Sequence, residues 1–360
     1  GGFVASQMGA VAARGDVDLV MVNPIGQRPW PLAAQGRYKA LAECPATSTL
    51  GPLTVHHPRF TLLPLVGGDS NPARIARAVL PLARRLHAEQ RFDLVDAQFF
   101  FPDGPAAQII AQALGLPLTI KARGSDIHYW SGRPKALAQI RAAGETADTL
   151  LSVSAALGRD MVALGLPADR IRVHYTGLNH ARFNVTRRAQ ARAKVAATLG
   201  LPQTGPLLAC PGALIAIKGQ ALAIRALVEL PGTHLALAGK GAEEAALRAL
   251  AAELGLAERV HFLGQISHDL LPTLMSAADA VVLPSEREGL ANVWIEALAC
   301  GTPLVVPNVG GAAEVVTAPE AGRLAARHPS AIAAAVRELL AAPPAQAEVA
   351  AMAARFSWEK

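Results

Sequence analysis

The stretch SEREGLANVWIEALACGTPLV (285–305) lies between two short apolar runs, VVLP (281–284) and LVVP (304–307). Such runs are typical of strands that are buried on both faces of a parallel sheet, and the segment between them has the length and composition of a helix. A strand, a loop, a helix and a second strand in that order form one repeat of a doubly wound α/β sheet. The stretch also places two carboxylates, Glu288 and Glu296, beside one strand end.

The same alternation runs through the whole second half of the chain. Apolar runs predict buried parallel strands at 206–211, 234–238, 259–263, 280–284 and 303–306. Helix-like segments lie between them at about 219–230, 242–255, 268–277 and 293–300. This order predicts an α/β fold with a doubly wound parallel sheet.

The first half repeats the pattern more loosely. Its candidate strands are 17–22, 93–97, 117–121, 149–153 and 171–175, and its candidate helices are 73–90 and 105–114. Between the two halves, the polar and basic segment 177–204 is the candidate interdomain linker.

Composition limits the class of protein. The chain has 360 residues, of which 51% are hydrophobic and 17% charged, which suits a large buried core and disfavours disorder. No apolar run reaches the ~18 residues of a membrane-spanning helix. The three cysteines are far apart and lack metal-ligand spacing, so we expect reduced thiols in a cytosolic protein.

Charge is unevenly distributed along the chain. Residues 1–200 hold 23 lysines and arginines against 13 acidic residues, whereas residues 201–360 hold 11 against 15. A basic first half suits an anionic membrane surface or an anionic acceptor, and it equally suits a solvated arginine-rich surface. Nucleic acid is disfavoured as a partner, because no basic patch is interleaved with aromatic residues.

Two loops of the second half have the composition of a phosphate site. In PGALIAIKGQ (211–220), a strand runs into Gly212, and Lys218 then opens a helix whose free amides suit an anion. An ordinary loop with a surface lysine has the same composition. The chain lacks the GxxxxGK[ST] motif, which excludes a Walker-type NTPase.

The second loop, LAGKGAEE (237–244), contains Gly239 and Gly241. These glycines either let the backbone approach a ligand or simply form the turn. A nicotinamide dehydrogenase is disfavoured, because the complete G-x-G-x-x-G motif with its acidic partner is missing.

The two glutamates complete the pattern. Glu288 lies in the loop after a strand, where open α/β sheets bind ligands, and its carboxylate can accept hydrogen bonds from hydroxyl groups. Asn292 is the expected N-cap of the next helix and Gly301 its stop. Glu296 on that helix can bridge a vicinal diol such as a ribose. We expect backbone amides to face the same ligand from Gly289, Leu290, Ala291, Asn292 and Val293. With Lys218, this set predicts a nucleotide-sugar site, and two solvated glutamates are the alternative.

Other residues carry less information. Cys300 is expected to be a core thiol rather than a nucleophile, and Ser154 a helix N-cap. Asp96 and Asp103 flank FFF (99–101), where catalysis and helix capping both remain open. No metal site is predicted, because His56 and His57 are adjacent and cannot easily share one ion.

These motifs resemble the retaining glycosyltransferases of family 4. The resemblance rests on Glu288-x7-Glu296, on ALACGTPLVVPNVGGAAEVV (297–316) and on the loops at 212–219 and 237–241. In the first half it extends to DAQFFFPDG (96–104), KARGSDIHYW (121–130), VSAALGRDMVALG (153–165) and YTGLNHARF (175–183). The family implies GT-B architecture, in which two Rossmann-like domains face each other across a cleft.

The resemblance also implies roles for residues. Glu288 would bind the hydroxyls of the donor sugar, Glu296 the ribose and Lys218 the diphosphate, with Gly212, Gly239 and Gly241 beside the donor. Arg123, Gly124, Ser125 and Asp126 would line the acceptor side, and the catalytic set would be Glu288, Lys218 and Asp126. No metal and no cofactor is implied besides a UDP- or GDP-linked donor.

Four positions depart from the family pattern. Ala213 replaces an arginine of the phosphate loop, Ile217 an acidic residue, Arg123 a histidine and Asn179 an aspartate. Loss of one phosphate cation would weaken stabilisation of the leaving diphosphate by about 2–3 kcal/mol.

The resemblance predicts the following domain organisation. Residues 1–176 would form the acceptor-side domain, 177–204 the linker, 205–345 the nucleotide-sugar-binding domain and 346–360 the start of a C-terminal crossover helix. Both ends of the chain look truncated, so a fragment of a longer protein is expected.

The expected activity is metal-independent, retaining transfer of a sugar to an acceptor hydroxyl of a glycan or lipid-linked molecule in cell-surface polysaccharide synthesis. The protein is expected in the cytoplasm, with a peripheral position at the inner membrane face. Two rivals remain: another GT-B enzyme such as an epimerase or phosphorylase, and a nucleotide-sugar-binding module impaired in catalysis, which Ala213 supports.

Overall fold

The computed structural model describes residues 2–28, 41–62 and 68–358. The chain divides into two compact units, Gly1–Tyr175 and Thr176–Lys360. This boundary lies one residue before the end of the predicted first domain at 176.

The second unit is built on one parallel sheet of six strands. They are β10 (Leu207–Pro211), β11 (His234–Ala238), β12 (Val260–Gly264), β13 (Ala280–Val282), β14 (Leu304–Val306) and β15 (Gly322–Leu324). Their spatial order is β12-β11-β10-β13-β14-β15, and every neighbouring pair is parallel. Strand order reverses between β10 and β13, which defines the switch point of a doubly wound fold.

The predicted strands of this sheet are confirmed, each within one or two residues at its ends. Their apolar runs identify them because the central strands are buried on both faces, as all five residues of β10 are. The sixth strand, β15, was not predicted, because its sequence GRL is too short and too polar to give a signal.

Helices follow most strands of the second unit. They are α7 (Arg188–Leu199), α8 (Gln220–Ala226), α9 (Glu244–Glu253), α10 (Leu271–Ala277), α11 (Asn292–Ala299), α12 (Ala312–Val315), α13 (Pro329–Ala341) and α14 (Gln346–Ala351). Helix α11 buries Trp294 and Leu298 completely. Gly301, with φ 77°, follows its last turn and stops it, as predicted.

The first unit contains a parallel sheet of four strands in sequence order. These are β6 (Val95–Ala97), β7 (Leu118–Ala122), β8 (Thr149–Ser152) and β9 (Ile171–Val173). The described helices of this unit are α1 (Gly2–Ala13), α2 (Asn71–Glu89), α3 (Asp103–Leu114), α4 (Ser125–His128), α5 (Pro134–Thr146) and α6 (Ala155–Ala163). The predicted N-cap of α6 is confirmed, because the Ser154 side chain accepts a hydrogen bond from the Leu157 amide.

The predicted strand 17–22 is wrong in length. Only β1 (Met21–Val22) is extended, and it pairs with β4 (Leu53–His56), which also pairs with β3 (Thr47–Leu50). Val17 and Val20 are exposed, so they supply no buried face for a longer strand. A separate pair joins β2 (Ile25–Gln27) to β5 (Arg59–Thr61).

The structure places 177–204 within the second unit rather than between the two units. Helix α7 lies in this segment and buries Ala191, Arg192 and Val195. The Arg192 guanidinium binds the Asp279 carboxylate at 2.6 Å, which ties the helix to the residue just before β13.

The C-terminal residues pack on the start of the same unit. The Leu178 amide donates to the Phe356 carbonyl at 3.0 Å, and Leu178 bridges Ser357. Within 346–360, predicted as the start of a crossover helix, α14 ends at Ala351 and Phe356–Trp358 are not helical.

Candidate functional site

Lys218 and Glu288 meet at the switch point of the second sheet. Lys218 follows β10 and Glu288 follows β13, the two strands between which strand order reverses. The Lys218 Nζ lies 2.5 Å from the Glu288 Oε1, and both side chains are largely shielded from solvent. Ligands of open α/β sheets bind outside the carboxyl ends of the strands at this point. Two of the predicted site residues are therefore in direct contact at the expected position.

The backbone around Lys218 is fixed by the neighbouring loop. Lys218 ends a 3-10 turn, and Gly219 follows it with φ 70°. A Cβ on Gly219 would lie 2.3 Å from the Pro284 carbonyl oxygen, so only glycine fits. The Glu286 amide also donates to the Ile217 carbonyl at 2.8 Å. These contacts join the loops after β10 and β13 and orient the ion pair.

Gly310 and Gly311, in the loop after β14, support Glu288 from the other side. A Cβ on Gly310 would lie 2.1 Å from the Glu288 carbonyl oxygen, and the Gly311 amide donates to the Gly289 carbonyl at 2.8 Å. These glycines had no predicted role. Their signal was present, because a glycine pair in the loop that follows a buried strand indicates close backbone approach.

The loop that contains Gly212 packs against the loop that contains Gly239 and Gly241. A Cβ on Gly239 would lie 1.9 Å from the Gly212 carbonyl oxygen, and one on Gly241 would lie 2.1 Å from the Leu214 carbonyl oxygen. The Gly212 amide donates to Ala238, and the Leu214 amide donates to Lys240. The close approach that Gly239 and Gly241 permit is therefore to the backbone of the loop after β10. The glycines of 237–241 hold the loop that carries Lys218.

Helix α11 begins one residue earlier than the sequence indicates. Ala291 is its N-cap, with an extended backbone, and Asn292 is its first residue, so the predicted capping role of Asn292 is wrong. The amides of its first turn, including Asn292 and Val293, have no acceptor inside the helix. They lie directly after the loop that carries Glu288, Gly289 and Leu290.

Glu296 lies in the middle of α11 and is half-buried. Burial raises the pKa of its carboxyl to about 7, and the positive charge of Arg182 opposes that rise. The carboxyl therefore changes charge near neutral pH. Arg182 had no predicted role, although it lies in the segment 175–183. Its guanidinium also binds Asp269 at 3.2 Å.

In the first unit, Asp126 binds the backbone of two loops. Its carboxylate accepts the amides of Phe100 at 2.7 Å, Gly124 at 2.8 Å and Arg123 at 2.9 Å. Burial raises the pKa of Asp126, and these hydrogen bonds lower it. Gly124 takes φ 118° to present its amide, and Ser125 begins α4 beside it. The arrangement suits a residue that shapes the loops after β6 and β7.

Arg123 is held by neutral groups. Its guanidinium donates to the Gln98 carbonyl at 2.8 Å and to the Gln7 Oε1 at 2.9 Å, and it lies 4.7 Å from the centre of the Phe3 ring. Burial lowers the pKa of Arg123 to about 10. The residue remains charged at neutral pH.

A buried lysine lies close to this group. The fully buried Lys121 Nζ is 2.5 Å from the His174 Nδ1 and 3.4 Å from the Gln7 Oε1. Burial lowers the pKa of Lys121 to about 7 and also lowers the pKa of His174. Lys121 had no predicted role, although a lysine inside the apolar strand LTIKA is a signal of an unusual environment.

The expected core thiol is confirmed. Cys300 is fully buried, and burial raises its pKa to about 12, so it holds no thiolate at neutral pH. Cys44, Cys210 and Cys300 are all free cysteines.

Two models of known protein families match this chain. The model for glycosyl transferases group 1 matches residues 192–356, and the model for Glycosyltransferase Family 4 matches residues 28–182. The chain belongs to glycosyltransferase family 4. No helix in the described ranges is both long enough and apolar enough to span a membrane.

Curated relatives match about half of the chain. A D-inositol 3-phosphate glycosyltransferase of Mycolicibacterium gilvum is 40% identical over 197 residues, covering 52% of this chain and 44% of the relative. A GDP-mannose-dependent alpha-(1-6)-phosphatidylinositol monomannoside mannosyltransferase of Mycolicibacterium smegmatis is 34% identical over 226 residues, covering 59% of this chain and 58% of the relative. The matches thus span about half the length of these relatives.

Solved structures show the same fold. Sucrose-phosphate synthase from Thermosynechococcus elongatus matches with a TM-score of 0.81 at 22% identity, over 99% of this chain and 89% of that one. HepE of Anabaena, solved with UDP-glucose, matches with a TM-score of 0.74 at 23% identity, over 100% of this chain and 93% of that one. The fold class is therefore GT-B, with two Rossmann-like α/β units, as the sequence predicts.

Proposed function

We propose that this protein is a retaining glycosyltransferase that moves a sugar from a nucleotide diphosphate sugar to an acceptor hydroxyl. The observation that carries the proposal is the contact between Lys218 and Glu288 at the switch point. A cation and a carboxylate side by side suit a ligand that carries phosphate and hydroxyl groups together. Nucleotide sugars have this chemistry.

The proposed reaction uses these residues as follows. The bond between the anomeric carbon and the diphosphate oxygen breaks, and the acceptor oxygen bonds to that carbon on the same face. The acceptor proton passes to the departing diphosphate. Lys218 and the first-turn amides of α11 stabilise the charge that develops on the diphosphate. No metal ion is part of this proposal.

Glu288 and Glu296 would hold the donor. When the diphosphate draws Lys218 away, the Glu288 carboxylate is free to accept hydrogen bonds from sugar hydroxyls. Glu296 would accept both ribose hydroxyls in its charged form. Asp126 would act by shaping the acceptor-side loops, since its carboxylate is occupied by backbone amides.

Support for the donor class and the setting comes from the relatives. HepE was solved with UDP-glucose, and the M. smegmatis relative is named as GDP-mannose-dependent. We therefore propose a UDP- or GDP-linked donor, a glycan or lipid-linked acceptor and a role in cell-surface glycan synthesis. The basic excess in residues 1–200 supports a peripheral position at the cytoplasmic face of a membrane.

The test is release of nucleotide diphosphate from UDP-glucose, UDP-N-acetylglucosamine and GDP-mannose, with myo-inositol phosphate and phosphatidylinositol as acceptors. We expect release from one donor, unchanged by EDTA, and loss of at least about 100-fold in Lys218→Ala and Glu288→Ala. Lys194→Ala, on the exposed face of α7, is the control for loss of a lysine. Nucleotide binding without turnover on any acceptor would favour the binding-module reading instead. NMR of the product anomer tests retention.

A further inference from the structure

The second unit contains a cavity on the side of its sheet that faces away from the Lys218–Glu288 pair. The volume of this cavity is about 400 Å³, and its wall includes Arg188 and Arg192 of α7 and the loop 203–205. That loop leads into the amino end of β10, whereas Lys218 follows the carboxyl end of the same strand. The cavity and the ion pair therefore lie at opposite edges of one parallel sheet.

The start of α7 carries more positive charge than its surroundings balance. Its basic residues are Arg187, Arg188, Arg192 and Lys194, and the helix contains no acidic residue. The amino end of a helix is the positive end of its dipole, so basic side chains in the first turn are unfavourable there. In the described part of the chain, Asp279 is the carboxylate that pairs with Arg188 and Arg192. An anion bound beside these arginines would balance the charge that remains.

The two arginines differ in how well their guanidinium groups are satisfied. Arg192 is buried, donates to the Gly205 carbonyl at 2.8 Å and binds Asp279 at 2.6 Å. The Arg188 guanidinium lies 3.7 Å from the Asp279 Oδ1 and 3.5 Å from the Gly301 carbonyl oxygen. Its Nε has no hydrogen-bond partner among the described residues. Since a guanidinium has five N–H donors, Arg188 can gain hydrogen bonds from a ligand, whereas Arg192 fixes the wall of the cavity.

The donor groups of the cavity define the class of ligand. Arg188 and Arg192 are four residues apart, so they lie on the same face of α7. Gln203 and Thr204 are exposed at the cavity and add an amide and a hydroxyl as donors. A cationic ligand would meet two charges of its own sign. Phosphate and carboxylate both match paired guanidinium donors, and a phosphate monoester has three free oxygens against the two of a carboxylate. A phosphate monoester therefore matches this donor set best.

We propose that this cavity binds the phosphate group of a small phosphate monoester. Arg188 is its main contact, and Gln203 and Thr204 donate further hydrogen bonds. The volume lies within the range of about 300–1,000 Å³ that is usual for small-molecule sites, so there is room for the group that the phosphate carries. This binding site is separate from the diphosphate position proposed at Lys218, and it does not depend on the proposed transfer reaction.

The test follows binding to the full chain by phosphorus NMR at constant ionic strength, with inorganic phosphate and glycerol 3-phosphate as probes. The wild type is compared with Arg188→Gln and with Thr204→Ala, which changes an exposed side chain and therefore keeps the fold even if Arg188→Gln does not. Arg225→Gln, an exposed arginine on α8, is the matched control for loss of one positive charge. Lys218→Ala separates the cavity from the phosphate loop, and sodium acetate is the competing carboxylate.

We expect at least one phosphate probe to bind the wild type, with binding retained in Arg225→Gln and in Lys218→Ala. The dissociation constant should rise about tenfold or more in Arg188→Gln and about threefold in Thr204→Ala, because a charged and a neutral hydrogen bond are lost. Absence of phosphate binding overturns the proposal, and so does binding that Lys218→Ala abolishes and Arg188→Gln retains. Equal weakening in Arg188→Gln and Arg225→Gln would overturn it in favour of a response to net charge. Displacement by acetate at equal concentration would overturn the assignment to phosphate.

Discussion

Lys218 and Glu288 are 70 residues apart in the chain, and one ion pair of 2.5 Å joins them across the point where strand order reverses. The two charges neutralise each other, which limits the cost of partly burying them. A ligand that binds both residues must replace this contact with one new partner for each. The pair therefore favours ligands that carry an anion and hydroxyl groups together.

Restoring the missing arginine of the phosphate loop should raise activity. Ala213 is exposed in the loop after β10, so Ala213→Arg creates no buried charge. One added charged contact to the diphosphate is worth about 1.5–3 kcal/mol, which corresponds to about a 10- to 100-fold increase in kcat/KM for the donor. Ala193→Arg is the control, because it adds the same charge on the exposed face of α7, away from the phosphate loop. Equal rates for Ala213→Arg and wild type would show that another group already compensates.

Donor affinity should depend on the charge of Glu296. Burial raises the pKa of this carboxyl to about 7, so it is mostly protonated at pH 6. Since only the charged form accepts both ribose hydroxyls, affinity for UDP-glucose should rise between about pH 5.5 and 7.5, by at most about tenfold per unit, and then level off. Calorimetry in buffers with different enthalpies of ionisation measures how many protons the protein releases when UDP-glucose binds. Glu296→Gln should remove the pH dependence, and a slope that persists in this variant would assign it to another group.

A methyl group at Gly239 should destabilise the second unit. The added Cβ would lie 1.9 Å from the Gly212 carbonyl oxygen, which belongs to the backbone of the neighbouring loop. We expect Gly239→Ala to lower the free energy of unfolding by at least about 2 kcal/mol in urea titration. Gly9→Ala is the control, because a Cβ there meets nothing within 4 Å and alanine favours the helix α1. Similar stability of the two variants would mean that the loops can separate at little cost.

Lys121 should make stability rise with pH above neutrality. Burial lowers its folded-state pKa to about 7, whereas the unfolded lysine keeps its ordinary value of 10.5. Between these values the unfolded chain binds more protons, so this group adds up to about 1.4 kcal/mol of stability per pH unit as pH rises. Lys121→Met keeps the length of the side chain and should flatten the profile between pH 7 and 9.5. An unchanged slope in this variant would show that Lys121 is charged in the folded protein.

The sequence predicts the second sheet well because its central strands are buried on both faces. Continuous apolar runs such as PLLACP therefore identify them without help from neighbours. The strands β3, β4 and β5 were missed. The residues of β3 and β5 alternate between exposed and half-buried positions, β4 buries only Leu53 and Val55, and the three strands include Thr, Ser, His and Arg. Such segments become strands through their partners, which sequence periodicity does not reveal.

In the candidate site, too, individual residues could be predicted from the local sequence, whereas contacts between distant residues could not. Glu288 and Lys218 could be selected individually, because each follows a predicted strand. Their mutual contact depends on β10 and β13 being neighbours, and strand order is a tertiary property. The pairing of Lys121 with His174 lies beyond sequence reasoning for the same reason, since the two residues are 53 positions apart.

The contact between Gly310 and the carbonyl of Glu288 has a consequence for protein engineering. Because the loops 285–291 and 307–311 share main-chain contacts, a library that varies the length of one loop alone will mostly yield misfolded variants. Recombination with related enzymes should exchange both loops together, with a crossover before residue 280 and another after residue 316. Grafts of this kind keep the shared main-chain contacts, and under the proposed function we expect them to change donor preference.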